Sequence, residues 1–216
     1  DALINYVALL GWSPGGEREI YTLPELVEIF DIKGISKSPA IFDIQKLDYM
    51  NAEYIRALPA EQFHALAEPY IRQTVKNPAI DTRLIAPLLQ PRCEHLTDIP
   101  EKVDFFDALP EYDTAMYCHK KMKTDEKISK DMLERLLPVV EAIDDWTAEG
   151  IHAALFGLIE QLGVKNGVVL WPLRTALSGK QTTPGGGVEL LHILGKEESL
   201  RRMRRGIEKL SETLGE

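Results

Sequence analysis

Apolar positions recur along this chain at spacings of three and four and almost nowhere alternate in twos. That pattern predicts amphipathic helices rather than strands. Residues 2–10 form a short apolar helix that Gly11 ends. Thr22-Leu23-Pro24-Glu25 has the form of a capping box, a hydroxyl and a carboxylate three residues apart, and opens a helix through Phe30. Asp43 caps a helix through about Arg56, with Ile44, Leu47, Met50 and Tyr54 on one side. Pro59 opens the next, to about Gln73. Residues 80–89 are short and apolar, closed by Pro91, and Thr97 or Asp98 caps 99–108. Ser129 caps a strongly periodic helix with Met132, Leu133, Leu136, Leu137, Val140 and Ile143 on one face. Thr147 caps another, carrying Ile151, Leu155, Leu158, Ile159 and Leu162 and ended by Gly163. Val168–Leu177 stops at Gly179, Val188–Leu194 breaks at Gly195, and Glu197–Leu214 closes the chain. Thr182-Thr183-Pro184-Gly185-Gly186-Gly187 is a loop. The expected fold is all-α, with boundaries near Leu58-Pro59 and near Asp144–Thr147 and no internal repeat.

Composition narrows the class. Of 216 residues, 44% are hydrophobic and 27% charged, which excludes a disordered chain, a collagen and a membrane protein. The net charge of −9 argues against indiscriminate nucleic-acid binding, which runs on phosphate neutralisation, but leaves room for a local basic patch. Two cysteines, Cys93 and Cys118, are too few for a disulfide framework and fit a reduced cytosolic setting with free thiols. The opening segment has no basic region before its apolar stretch, and at about eleven residues that stretch is too short to span a bilayer. Apolar residues begin at Ala2 with no lead-in. This reads as a piece whose N-terminal partner is absent, with a processed chain as the alternative.

Signatures of catalysis are missing. There is no nucleophile elbow, Walker loop or dinucleotide fingerprint, and Gly185-Gly186-Gly187 lacks the Lys-Ser/Thr of a phosphate cradle. Cys93, His95, Cys118 and His119 have the wrong spacing for zinc, so no metal site is expected. The carboxylates are scattered, with no general acid–base pair. The residues describe a helical binding module. Its basic features are the five lysines of 119–130, flanked by Tyr112, Tyr117 and His119, and the set Arg201, Arg202, Arg204, Arg205, which glutamates dilute into a salt-bridged helix. Two arginines stand beside prolines, Pro91-Arg92 and Trp171-Pro172-Leu173-Arg174. A guanidinium held next to a rigid turn can read or stack on an unpaired base.

Three blocks in order resemble bacterial glutamyl-tRNA synthetases: Ala2-Leu3-Ile4-Asn5-Tyr6-Val7-Ala8-Leu9-Leu10-Gly11-Trp12-Ser13; Ile35-Ser36-Lys37-Ser38-Pro39-Ala40-Ile41-Phe42-Asp43 with Lys46-Leu47 and Met50-Asn51; and Leu170-Trp171-Pro172-Leu173-Arg174-Thr175-Ala176-Leu177-Ser178-Gly179 with Thr183-Pro184-Gly185, continuing into Leu194-Gly195-Lys196-Glu197 and Arg201-Arg202. Ile35-Ser36-Lys37-Ser38 mimics the Lys-Met-Ser-Lys-Ser loop of class I synthetases. In the family, however, that loop precedes the block matching residues 2–13, and its His-Ile-Gly-His-type partner is nowhere in this sequence.

The resemblance implies the C-terminal portion of such an enzyme. Residues 1–57 would be the remainder of the stem-contact domain, 58–145 one helical anticodon-binding subdomain and 146–216 a second. The parent would ligate glutamate to tRNA(Glu) with ATP and Mg, whereas these residues alone would need no cofactor and be inactive. Family anticodon contacts fall at Arg92, Arg174 and Thr183. An arginine at the Arg92 place is associated with separating glutamate from glutamine anticodons. Many relatives carry a bulky residue where this chain has Gly185-Gly186-Gly187. Lys120, Lys121 and Lys123 would touch the tRNA backbone rather than read bases. A cytoplasmic monomer is expected. The alternatives are a non-discriminating enzyme that also charges tRNA(Gln), a helical protein–protein module using the apolar faces at 132–143 and 151–162, and a free-standing enzyme.

Overall fold

The computed structural model describes residues 1–216 as eleven α-helices joined by 3₁₀ turns and irregular loops. They are α1 (Ala2–Gly11), α2 (Leu23–Ile29), α3 (Ile44–Ala57), α4 (Ala60–Thr74), α5 (Thr82–Leu89), α6 (Ile99–Val103), α7 (Glu126–Glu141), α8 (Ala148–Leu162), α9 (Asn166–Ser178), α10 (Gly187–Leu194) and α11 (Lys196–Leu214). The β pairings are two isolated bridges, Trp12 with Ile35 and His119 with Thr124. Packing divides the chain into Asp1–Tyr70 with Ala86–Ile99, and Ile71–Ile85 with Pro100–Glu216.

In the first unit α1 packs on α2 and α3. Trp12, Tyr21 and Leu26 form one buried cluster, and Met50, Ala52 and Ile55 present the buried face of α3. Local chemistry sets the helix starts. Thr22 accepts the Glu25 amide proton while the Glu25 carboxylate accepts that of Thr22 at 2.7 Å. Asp43 takes the amides of Gln45 and Lys46 at 3.0 and 3.2 Å. Apolar side chains also stand in the open here: Leu3 and Val7 on α1, Val27 on α2, then Ile32 and Ile41, the last 87% exposed.

In the second unit α11 packs on α7 and α9, α7 also on α8, and α10 on α8 and α9. The faces weighed as a docking surface for another protein are consumed by this packing. Met132, Leu133, Leu136, Val140, Ile143, Ile151, Leu155 and Ile159 are all buried. Two helix limits also differ from expectation. The periodic helix begins at Glu126, because the Asp125 carboxylate takes the Ile128 amide at 2.7 Å; Ser129 lies inside it, buried, its hydroxyl donating to the Tyr117 carbonyl at 3.3 Å. The helix expected over 99–108 stops at Val103 and tightens into a 3₁₀ turn at Asp104–Phe106. Asp104 captures the Phe105 amide at 2.8 Å, and the Phe105 carbonyl goes to a side chain from a distant helix.

That side chain is Arg202, which is fully buried on α11. Its Nη1 donates to the carbonyls of Phe105 and Leu177, both at 2.7 Å, and its Nε to Glu198 at 2.6 Å. Burial pushes its pKa down and the Glu198 carboxylate opposes that shift. One turn further along, Gly206 lets α11 approach closely: a Cβ there would lie 2.5 Å from the Tyr117 hydroxyl, which itself bonds the Tyr112 hydroxyl at 2.8 Å.

Arg202→Met keeps the bulk but orphans two carbonyls, and is expected to cost about 3 kcal/mol, read from the urea midpoint. A second expectation concerns acid. The Arg18 guanidinium, then the Thr22 amide and hydroxyl, hold the Glu25 carboxyl down at about 2. A carboxylate depressed in the folded state stabilises above its ordinary range and loses that contribution as pH falls toward the depressed value. The Thr22 amide resonance is therefore expected to titrate with a midpoint near 2, and in Glu25→Gln not at all.

Candidate nucleic-acid interface

Arg174 and Trp171 are one turn apart on α9, so they share a face. The helix ends at Gly179, whose φ of +60° reverses the chain and whose missing Cβ leaves room for the Tyr112 ring. The chain then returns past Arg174. Its Nη2 donates to the Gln181 carbonyl at 2.7 Å and its Nη1 to the Thr183 hydroxyl at 3.3 Å, while Cζ lies 4.4 Å from the Trp171 ring centroid. Trp171 is itself fixed, its indole N–H donating to the Met116 carbonyl at 3.0 Å. Half-burial pushes the Arg174 pKa down, but a guanidinium stays charged at any physiological pH. The result is a preorganised cation with donors left for a planar acceptor.

Thr183 is buried and its hydroxyl donates to the Gly185 carbonyl at 2.6 Å while accepting from Arg174. It holds the guanidinium and the glycine loop together. Its geometry makes it a support for Arg174.

The lysine-rich stretch forms a tight turn closed by the His119–Thr124 bridge, with Lys120, Lys121 and Lys123 exposed. The His119 ring lies 4.1 Å from the Trp171 ring, centroid to centroid. Residues singled out separately along the chain thus meet through one indole: the lysine turn on His119, and Arg174 with Thr183 on the other contact. Lys130, counted with these lysines, is instead committed to Glu216 and Glu134. The four α11 arginines are all paired, Arg201 and Arg202 with Glu198, Arg204 with Glu141 and Arg205 with Glu208.

Arg92 belongs to the first unit. It ends the 3₁₀ turn Gln90–Arg92 and is exposed. Side chains tie this turn to α3 on both sides. The Gln90 amide donates to the carbonyls of Ile55 and Leu58 at 3.0 and 2.8 Å, the Asn51 amide to the Glu94 carbonyl at 2.6 Å, and His95 pairs with Asp48 at 3.0 Å. Cys93 is buried, with Sγ 3.4 Å from the His95 carbonyl. These anchors escaped sequence reading. The Trp171/Arg174 spacing of three was the one geometric signal available. No three or more His, Cys, Asp or Glu side chains come together to hold a metal. Cys118 is exposed, and its thiol is pushed up to about 11 by desolvation and by Glu126.

Residues 62–207 match the family model described as the anticodon binding domain. The chain belongs to that family. Residues 1–49 match the catalytic domain of class I tRNA synthetases (E and Q). The glutamate–tRNA ligase of Clostridium tetani is 53% identical over 100% of this chain and 44% of the relative, and that of Clostridium acetobutylicum 53% over 97% and 43%. The chain therefore spans under half the length of the curated relatives it matches. A crystal structure of a glutamate tRNA ligase from Elizabethkingia meningosepticum, in complex with its amino acid, superposes with a TM-score of 0.82 at 29% identity, covering 97% of this chain and 41% of that one. That of Elizabethkingia anophelis gives 0.78 at 29%. The anticodon-binding match runs from α4 to α11 and so includes Arg92, Arg174 and Thr183.

Thr183→Val, which keeps shape and removes the hydroxyl, is expected to cost about 1 kcal/mol in chemical unfolding and to broaden the Arg174 side-chain resonances in NMR.

Proposed function

We propose that this chain is the tRNA-gripping part of a discriminating glutamate–tRNA ligase, whose whole form ligates glutamate to tRNA(Glu) in the cytoplasm and acts as a monomer. The observation that carries the reading is the anchored Arg174 on Trp171, inside a stretch that belongs to the anticodon-binding family. An anticodon is single-stranded, so its bases can be splayed out and read on their edges. Arg174 and Arg92 act as base readers, and Thr183 works through Arg174. Lys120, Lys121 and Lys123 contact the RNA backbone and supply the salt-dependent part of the affinity.

Residues 1–57 carry the stem-contact role, and the remainder grips the anticodon in two helical parts, 58–145 and 146–216. The apolar side chains exposed along residues 3–41 fit a surface that the rest of the catalytic domain covers in the whole enzyme. The residues present offer no carboxylate set for magnesium and no phosphate cradle for ATP. Both belong, in this reading, to that catalytic domain. No helix is long and apolar enough to cross a membrane.

The experiment is a gel shift of the chain with tRNA(Glu) and tRNA(Gln) transcripts at ~150 mM salt, followed by charging assays on the whole enzyme. Arg92→Ala is expected to remove ~1–3 kcal/mol of preference between the two tRNAs. An unchanged ratio takes Arg92 out of discrimination. Equal binding of a random RNA would refute the tRNA reading as a whole.

A further inference from the structure

Lys123 is the one non-glycine residue of the chain with a positive φ, +58°. L-residues with a Cβ disfavour that left-handed conformation, and glycine or asparagine usually fills it. Such a residue persists where its surroundings over-determine it, and strained residues cluster at functional sites. Here the surroundings do so. His119 and Thr124 exchange backbone hydrogen bonds of 3.0 and 3.3 Å, and the Lys123 amide donates to the Lys120 carbonyl at 3.3 Å. The Thr124 hydroxyl donates to the Tyr117 carbonyl at 2.8 Å, and the Met122 amide donates to His119 Nδ1 at 3.3 Å. The imidazole that accepts this bond also lies against Trp171.

Three side chains of this rigid turn take no part in that bonding. Lys120, Lys121 and Lys123 are exposed and make no ion pair, although acidic residues outnumber basic ones by 34 to 25. Lys46, Lys130, Lys180 and Lys209 each find a carboxylate, while Lys33, Lys37 and Lys102 do not; what sets the turn apart is three such ammonium groups within four residues on a fixed backbone. A strained backbone therefore presents unneutralised ammonium groups, joined through His119 and Trp171 to the guanidinium of Arg174. Compact, strongly hydrated charges of this kind suit phosphate oxygens. Partners of opposite sign that are planar and paired would instead call for arginine.

We propose that residues 119–124 are a phosphate clip for the RNA strand whose base Arg174 reads, with Lys123 held left-handed at its tip and His119 fastening it to Trp171. The clip rests on the tRNA-binding reading above. It adds that the lysine turn and the base reader engage adjacent nucleotides of one strand, and that Lys123 is retained at the expense of local stability.

The test compares Lys123→Gly, His119→Ala, His119→Asn and Arg174→Ala with the unaltered chain, using a tRNA transcript bearing the glutamate anticodon and fluorescence anisotropy over a KCl series, with thermal melting alongside. Lys123→Gly is expected to melt at the same temperature or higher. Its affinity should fall roughly three- to tenfold at ~150 mM salt, and its slope of log affinity against log salt should flatten by about 0.7–0.9, one phosphate contact. His119→Ala should flatten the slope similarly, and His119→Asn, which keeps an acceptor for the Met122 amide, should recover part of it. Arg174→Ala should erode preference for the glutamate anticodon over an altered one. A lower melting temperature in Lys123→Gly, or an unchanged slope while the unaltered chain binds tRNA and Arg174→Ala loses its anticodon preference, overturns the clip alone. Absence of tRNA binding by the unaltered chain overturns the clip together with the reading beneath it.

Discussion

A fully buried guanidinium ties the second unit together. Arg202 reaches from α11 to the carbonyl of Leu177 at the end of α9 and to that of Phe105 in the 3₁₀ turn, with Glu198 beside it on its own helix. The last carbonyls of a helix need partners, and in a dry interior an unmet one is expensive. Arg202 meets two such needs with one side chain. A second tie runs parallel, Lys180 to Asp104 at 2.9 Å. Together they set where α9 stops and where the chain leaving it must run. That return path is what brings the Gln181 carbonyl and the Thr183 hydroxyl to Arg174. The position of the half-buried Arg174 thus follows from where the buried Arg202 is bonded.

The same economy of anchoring recurs in the first unit, where Gln90, Asn51 and the Asp48–His95 pair hold the Arg92 turn against α3. Freezing a long side chain or a loop on binding costs entropy, so a reader fixed in advance binds more tightly and more selectively than a mobile one. Neither arginine depends on overall charge. The chain is acidic by nine, and its α11 arginines are spent on glutamates. A protein that recognises RNA needs positive groups in the right place rather than a positive total; in the function proposed above, the exposed lysines of 119–124 supply them beside Trp171.

Much of the helical framework was legible because its causes are local. The Thr22–Glu25 box, the caps at Asp43 and Thr147, and the stops at Gly163 and Gly179 all form with the predicted partners. One misreading was a choice between two nearby caps, the other the work of a distant side chain. Ser129 looked like a cap, but Asp125 competes for the same helix start and the Tyr117 carbonyl claims the Ser129 hydroxyl. The helix over 99–108 looked continuous, but Arg202 draws the Phe105 carbonyl out of it. The apolar faces at 132–143 and 151–162 were open to either a core or a partner, and periodicity cannot tell the two apart.

What the amino-acid order settles unaided is whatever depends on neighbours within about four residues: helix periods, caps, glycine stops, and the blocks that carry the family resemblance. It also marks Arg92, Arg174 and the lysines as chemically able to meet RNA. Tertiary structure alone decides that Thr183 is buried under Arg174, that His119 and Trp171 join two distant basic features, that Arg202 is interior while Arg201 is not, and that Lys123 carries a left-handed backbone. Each of these turns on which carbonyl, ring or carboxylate arrives from far along the chain, and whether water is excluded when it does. Side-chain type fixes what a residue can bond; only packing fixes what it meets.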